Sequence, residues 1–122
     1  MKTIYLNIPD SFKKSGIINI CQKLGIEKKD INNSDINKTI LNIVSGKDVP
    51  QNVRSGKKAP QMYCLPELMI FNEFDDESLE EFLKEYKASG LEKVVLKAMV
   101  TPFNIIWSLY ELAEHLKEES KR

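Results

Sequence analysis

The chain has 122 residues, of which 42% are hydrophobic and 30% are charged, and this composition is typical of one globular domain rather than of a disordered chain. The longest apolar runs are too short to span a bilayer, and the N-terminus lacks the apolar core of a secretory signal, so we expect a cytoplasmic protein with no membrane segment. Two cysteines are too few for a disulfide scaffold, and we expect both thiols to be reduced.

The net charge is zero, but the two halves of the sequence carry opposite charges. Residues 1–65 hold eleven Lys or Arg and five Asp or Glu, whereas residues 66–122 hold seven and thirteen. Because the acidic half would repel phosphates, this distribution argues against binding to nucleic acid. The opposite charges either attract each other within one domain or favour self-association, and we predict a homodimer.

An internal repeat organises the sequence. Thr3 to Lys28 aligns with Leu68 to Lys93 without a gap, at a constant offset of 65. Five positions are identical, namely Asn7 and Asn72, Asp10 and Asp75, Gly25 and Gly90, Glu27 and Glu92, and Lys28 and Lys93. Because these residues include a strand end, a helix cap and a helix stop, the alignment predicts two similar units at 3–45 and 68–118. We expect them to form a single domain over residues 1–122, joined by a linker at 46–62.

The first unit begins with a strand and a helix. Thr3 to Ile8 is rich in β-branched and aromatic residues, which predicts the strand. Asp10 is the candidate N-cap of the helix that follows, and Gly25 is its candidate C-terminal stop. Cys21 lies on the apolar stripe of this helix, and we expect it to be a small core residue.

The rest of the first unit is more weakly patterned. A short edge strand is predicted around Asp30 to Asn32. Apolar residues at helical spacing then indicate a second helix, with Ser34 or Asp35 as its cap and Gly46 as its end. The linker at 46–62 has no periodicity, so we expect it to be functional or mobile.

The second unit is more strongly patterned. Leu68 to Phe71 predicts a strand, and Asp75 or Asp76 is expected to cap the next helix, which Gly90 ends. Val94 to Val100 is the strongest strand signal in the chain.

The last helix is predicted to begin at Thr101 as N-cap, with Pro102 at its first position. Its expected apolar face is formed by Phe103, Ile106, Trp107, Tyr110, Ala113 and Leu116.

The predicted fold class is α/β, with a four-stranded sheet built from two β-α-β-α repeats. Side chains alternate along a strand, and here both faces of the predicted sheet are largely apolar. This is typical of strands that are covered on both sides, so we expect three layers. The alternative is a ferredoxin-like two-layer plait whose open face is hidden in a dimer.

Two strings of the second unit resemble a known family. They are Pro66-Glu67-Leu68-Met69-Ile70-Phe71 at the strand, and Lys-Ala-x-x-Thr-Pro-x-Asn-x-x-Trp from Lys97 to Trp107. Through them, roughly Pro66 to Glu119 is similar to a bacterial family of small proteins known as domain of unknown function 3783. The resemblance implies a small α/β protein of unassigned activity, and it carries over no catalytic residue.

Catalytic and metal sites are not recognisable in the sequence. Glu111, His115 and Glu118 share one helical face, but a single histidine without a nearby cysteine is incomplete for zinc, and a solvated face of ion pairs explains these residues better. A pairing of Cys64 with His115 lacks a supporting pattern. The strand-to-helix turns contain no glycine and carry acid, which disfavours nucleotide phosphates. We therefore expect no metal and no cofactor.

The candidate ligand site comprises Lys97, Thr101, Asn104 and Trp107. Lys97 interrupts an apolar strand, so its charge needs water or a partner. Thr101 and Asn104 mark a predicted helix N-terminus, where free N–H groups can bind an anion. In the alternative, Thr101 caps the helix, Asn104 bonds the backbone, Trp107 packs, and Lys97 extends its ammonium group to water.

The sequence thus favours a non-enzymatic protein-interaction or regulatory module that binds an unknown protein partner. The alternative is a sensor of a small anionic metabolite that uses the candidate ligand site. An enzyme is the third class, and it lacks a recognisable constellation of residues.

Overall fold

The computed structural model describes residues 1–46 and 58–121. In chain order the elements are β1 (Thr3–Asn7), α1 (Ser11–Leu24), β2 (Glu27–Asp30), a 3-10 turn (Asn33–Asp35), α2 (Ile40–Ser45), β3 (Leu68–Asn72), α3 (Asp76–Ala88), β4 (Lys97–Met99) and α4 (Leu109–Ser120).

The four strands form one sheet in the order β2-β1-β3-β4. β1 and β2 are parallel, β3 and β4 are parallel, and β1 and β3 run antiparallel at the centre. The predicted α/β class with a four-stranded sheet is therefore confirmed. The ferredoxin-like alternative does not describe this sheet, because that plait splits the two parallel strands of each β-α-β unit, whereas here they are neighbours.

The chain divides into two compact units, which are not the two repeats of the sequence, because each takes segments from both halves. From here on, the first and second unit are these compact units. The first unit comprises Met1–Asp30 and Glu67–Met99, and the second comprises Ile31–Pro66 and Val100–Arg122. The single domain expected from the sequence stays a prediction.

The core of the first unit lies between one face of the sheet and the helices α1 and α3. Its members come from the strands, the helices and the loops between them, namely Ile4, Leu6, Ile8, Ile17, Ile20, Cys21, Ile26, Met69, Phe71, Phe74, Phe82, Tyr86 and Val94. The other face of the two central strands also carries buried side chains, at Tyr5, Leu68 and Ile70. Burial on both faces explains the continuous apolar runs of β1 and β3. The three-layer arrangement itself stays a prediction.

The caps of α1 and α3 lie where the sequence predicts them. The Asp10 carboxylate accepts from the backbone N–H of Phe12 at 2.9 Å, and the Asp75 carboxylate accepts from that of Ser78 at 2.8 Å. After the helices, Gly25 and Gly90 adopt left-handed backbone with φ of 69° and 76°, which glycine tolerates without a Cβ clash.

The second strand lies earlier than predicted. It spans Glu27–Asp30 rather than Asp30 to Asn32, and all four of its side chains are exposed. The backbone N–H of Glu27 donates to the carbonyl of Lys2 at 2.9 Å, which brings the segment beside β1 directly after Gly25. Because the strand buries no side chain, hydrophobic alternation could not indicate its position.

The strand predicted at Val94 to Val100 is much shorter. Only Lys97–Met99 forms β4, because its parallel register with β3 extends over three residue pairs. Val94 is buried in the core although it precedes the strand, whereas Val95 is 58% exposed. The apolar run therefore combines a loop that packs on the core with a short edge strand.

In the second unit, the region of the helix predicted from Ile36 to Val44, with its cap, divides into two elements. Asn32, rather than Ser34 or Asp35, caps the 3-10 turn, and its side chain accepts from the Ser34 N–H at 2.9 Å. The helix α2 begins only at Ile40, with Thr39 as its N-cap, and it ends before Gly46, as predicted.

The last helix begins later than predicted. Thr101 does not cap it; turns occupy residues 102–106, and α4 begins at Leu109 with Ser108 as its N-cap. Phe103 and Ile106 are therefore exposed by 82% and 43% instead of belonging to a buried helical face. The buried residues of α4 are Leu109, Leu112, Ala113 and Leu116.

Most of the predicted linker at 46–62 falls on residues 47–57, which lie outside the described residues. Within the parts that are described, no helix is both long enough and apolar enough to cross a membrane.

Candidate functional site

The four residues of the predicted ligand site belong to two different units. Lys97 lies in β4 of the first unit, whereas Thr101, Asn104 and Trp107 lie before α4 in the second. Each part therefore has its own local environment.

Thr101 and Asn104 hold each other through reciprocal hydrogen bonds. The Thr101 hydroxyl accepts from the Asn104 N–H at 3.1 Å, and the Asn104 side-chain oxygen accepts from the Thr101 N–H at 2.9 Å. This is the pattern of a capping box, but a turn follows it instead of an α-helix. The expectation that a helix N-terminus lies here is therefore wrong, because α4 begins only at Leu109. An anion site at these residues stays a prediction without that support.

Trp107 stacks on His115. Their ring centroids are 4.2 Å apart and their planes differ by 16°. Glu111, which the sequence groups with His115, instead accepts a hydrogen bond from the Ser108 N–H at 3.2 Å. Across residues 1–46 and 58–121, no three side chains of the His, Cys, Asp or Glu type are arranged to hold a metal ion.

A polar cluster around Tyr63 was not predicted from the sequence. The Tyr63 hydroxyl donates to the Glu114 carboxylate at 2.8 Å, and Lys117 approaches the same carboxylate at 2.8 Å. Burial raises the pKa of Tyr63, and the hydrogen bond with Glu114 raises it further. The hydrogen bonds with Lys117 and then Tyr63 lower the pKa of Glu114. Because these charges and hydrogen bonds satisfy one another, the cluster is best explained as structural.

Lys97 lines a groove in the first unit, between α3, the loop after it and the sheet. Its position in β4 is paired with Met69, so it lies on the face of the sheet that carries the core. The groove, here called the Lys97 groove, has a volume of about 400 Å³. Its lining combines an apolar wall with three lysines. The wall is formed by Met69, Leu83, Tyr86, Leu91 and Val94, and the lysines are Lys87, Lys93 and Lys97.

The Lys97 ammonium group is partly withdrawn from water. Its nitrogen donates to the carbonyl oxygen of Val94 at 2.7 Å. Burial lowers the pKa of Lys97, and the positive charge of Lys93 lowers it further. Both effects penalise the charged form, and a bound anion would oppose both.

The positive charge of the Lys97 groove is not neutralised by a carboxylate of the described residues. In the described part of the chain, no carboxylate lies within 4.0 Å of the ammonium groups of Lys87, Lys93 or Lys97. The nearby Glu67 is already paired with the buried Lys13, at 3.0 Å. Burial raises the pKa of Tyr86, and the negative charges of Glu67 and Glu92 raise it further. These carboxylates therefore affect the groove wall, but neither forms an ion pair with the three lysines.

A larger groove of about 600 Å³ lies between α1 and α3, beside the exposed Phe12. Its charged residues are Lys23 and Glu85, and they pair with each other at 2.6 Å. Because this pair leaves no uncompensated charge for a ligand, we favour the Lys97 groove as the candidate site despite its smaller volume.

Sequence reasoning identified Lys97 but missed Lys87 and Lys93. Lys87 lies in the last turn of α3, where a lysine is explained by the helix dipole. Lys93 lies in an irregular loop without periodicity. No spacing rule connects these two residues with Lys97, so only the tertiary structure brings them to one groove.

Comparison with known families gives one match. Residues 67–122 match the model of a family described as a domain of unknown function (DUF3783). The match confirms the resemblance carried by the strand at Leu68 and the string from Lys97 to Trp107. It contains all three lysines of the Lys97 groove. No curated protein and no solved structure matches the chain.

Proposed function

We propose that this protein is a non-enzymatic binding module that takes the anionic group of a small ligand in the Lys97 groove. One observation carries this proposal, namely that Lys87, Lys93 and Lys97 line one largely apolar groove without a carboxylate partner among the described residues. Binding pockets commonly combine an apolar wall with a few polar groups that orient the ligand.

The physical reason for the preference for an anion is charge compensation. Lys97 is half-buried, and burial together with Lys93 disfavours its charged form. An anion in the groove would interact with all three ammonium groups and offset the repulsion between Lys93 and Lys97. Lys97 has three N–H donors, of which the carbonyl of Val94 takes one, so two are available to a ligand.

The sequence alone favoured a protein-interaction module over a sensor of an anionic metabolite. The groove supports the opposite order, because it is a concave site of ligand size whose three lysines have no carboxylate partner among the described residues. A homodimer and a protein partner stay predictions, and neither is required for binding in the groove.

We further propose that the two halves descend from one duplicated unit and that only the second kept this site. At the centre of the sheet, Tyr5 pairs with Ile70, its counterpart at the offset of 65. By the same alignment, Ile4 corresponds to Met69, and the residues paired with them in the sheet are Lys28 and Lys97. In the sequence, the offset of 65 instead aligns Lys28 with Lys93.

The environments of these two lysines differ. Lys28 is exposed, and Asp30 lies 3.9 Å from its ammonium group. Lys97 is half-buried, and no carboxylate of residues 1–46 or 58–121 lies within 4.0 Å of its ammonium group. The difference supports a specialised role for the second half, which is also the half that matches the family.

The proposal can be tested by thermal unfolding of the full chain with acetate, succinate and inorganic phosphate at constant ionic strength. A ligand that binds only the folded state at a hundred times its Kd stabilises that state by about 2.7 kcal/mol. We expect at least one anion to raise the Tm of the parent protein. We expect Lys97→Met and Lys93→Met to lose this effect.

Lys84→Met is the matched control, because Lys84 is an exposed lysine of α3 that does not line the groove. It removes the same charge and should keep the anion response. Equal responses of the parent and Lys97→Met to every anion would refute the proposed function.

A further inference from the structure

A second cavity shares two lining residues with the Lys97 groove. It has a volume of about 220 Å³ and is lined by Phe71, Leu79, Leu83, Lys97, Ala98 and Met99. Leu83 and Lys97 also line the Lys97 groove. Apart from Lys97, the side chains around this apolar cavity carry no charge and no hydrogen-bonding N–H or O–H group.

The apolar cavity lies beside β4, which is a short strand at the edge of the sheet. Phe71 of the neighbouring β3 is 2% exposed and belongs to the core, whereas Leu79, Leu83 and Met99 around it are only half-buried. These half-buried side chains pack against the core cluster from its margin. Apolar surface remains there for a ligand to cover, and its removal from water would favour binding.

The two cavities together therefore have an amphipathic character. The Lys97 groove supplies three ammonium groups, and the apolar cavity supplies a wall of apolar side chains. A sugar or a second charged group placed in the apolar cavity would lose its hydrogen bonds to water without replacement. An alkyl chain has no such cost.

We infer, building on the proposed function, that the ligand is an aliphatic carboxylate of the fatty-acid class. Its carboxylate would lie among Lys87, Lys93 and Lys97, and its alkyl chain would lie against Leu79, Leu83 and Met99. Lys97 lies at the junction, since it lines both cavities.

This inference predicts a dependence of affinity on chain length. Each methylene group buried against an apolar wall strengthens binding roughly fourfold. From butyrate through hexanoate to octanoate, we therefore expect Kd to fall with each step and to level off once the chain outgrows the cavity.

The experiment is a calorimetric titration of the full chain with acetate, butyrate, hexanoate and octanoate, each below its micelle-forming concentration and at constant ionic strength. Octanol serves as the uncharged control with the same chain length. We expect octanoate to bind most tightly of the four acids and octanol to bind more weakly than octanoate.

Two variants separate the two parts of the site. Leu79→Trp places a bulky ring at the rim of the apolar cavity, and it should remove the gain from chain length while acetate still binds. Lys97→Met should weaken all four acids. Lys84→Met is the charge-matched control and should behave as the parent. Circular dichroism spectra check that each variant is folded.

Each alternative outcome has a distinct meaning. If acetate or phosphate binds but a longer chain adds nothing, the fatty-acid inference is wrong and the proposed anion site stands. If octanol binds as well as octanoate, the lysines do not recognise the ligand, and both conclusions fail. If none of the four acids binds, and succinate and phosphate also leave the Tm unchanged, both fail as well. Because the chain-length series is measured on the parent protein, the test does not depend on a variant that folds.

Discussion

The ammonium nitrogen of Lys97 lies 2.7 Å from the carbonyl oxygen of Val94, three residues before it in the chain. The side chain of Val94 is buried in the core, so this hydrogen bond holds the Lys97 ammonium group against the loop that precedes its own strand. The charge is thereby kept at the groove, although burial opposes it. A half-buried charge of this kind is unfavourable to stability, and binding explains it better than folding does.

Replacement of Lys97 by methionine tests that explanation. Lys97→Met keeps an unbranched side chain but removes the charge and one hydrogen bond. The desolvation cost of the ammonium group disappears and offsets the loss of its hydrogen bond with the Val94 carbonyl, which is worth about 2 kcal/mol because the donor is charged. We expect the free energy of unfolding, measured in urea, to stay within about 1 kcal/mol of the parent value. A loss well above that, with Lys84→Met unaffected, would give Lys97 a structural role instead.

The pH dependence of stability provides a second test of Lys97. Because its pKa is lowered in the folded protein, the unfolded chain binds more protons between that folded-state pKa and the ordinary value of 10.5. The contribution of Lys97 to stability therefore rises with pH across this interval. Compared with Lys97→Met, the parent protein should gain stability as the pH increases towards 10.5. A difference that is constant with pH, or that changes in the opposite direction, would contradict the lowered pKa.

The start of α4 can be tested at two hydroxyl residues. The buried Ser108 accepts from the Glu111 N–H at 3.1 Å, whereas Thr101 holds a separate turn. Ser108→Ala should cost about 1 kcal/mol and speed hydrogen exchange at the Glu111 amide. Thr101→Ala should leave exchange at that amide unchanged. If Thr101→Ala instead exposed the Glu111 amide, the helix would begin where the sequence pattern placed it.

The two cysteines should differ in reactivity. Burial raises the pKa of Cys21 to about 11, and its side chain is 1% exposed, whereas Cys64 is exposed. Because the thiolate is the reactive form, a disulfide reagent at pH 8 should modify one thiol in the folded protein and two in denaturant. Cys64→Ser should remove the fast reaction. Fast modification of that variant would mean that Cys21 opens readily to solvent.

Much of the fold was predictable because short-range chemistry specifies it. Asp10 and Asp75 cap helices through hydrogen bonds to residues two or three positions ahead, so the local sequence is enough to predict these bonds. Gly25 stops α1 for an equally local reason, the low cost of positive φ. The predictions were wrong for the position of β2, the start of α2, the length of β4 and the start of α4. At each of these places, backbone pairing, a turn or a loop replaced part of the expected element.

The candidate site was less predictable than the fold. Lys97 was noticeable because its charge interrupts an apolar run. Lys87 and Lys93, which line the same groove, look like ordinary surface lysines in the sequence. The predicted partners Thr101 and Asn104 bond to each other, and they lie in the other unit.

By itself, the sequence determined the α/β class, the two central strands, the caps of α1 and α3 and the likeness of the second half to a known family. These features depend on residue patterns and on contacts between near neighbours in the chain. Only the tertiary structure decided the strand order, the length of β4 and the meeting of three lysines in one groove. Such features depend on hydrogen bonds and packing between distant segments, which no local pattern specifies.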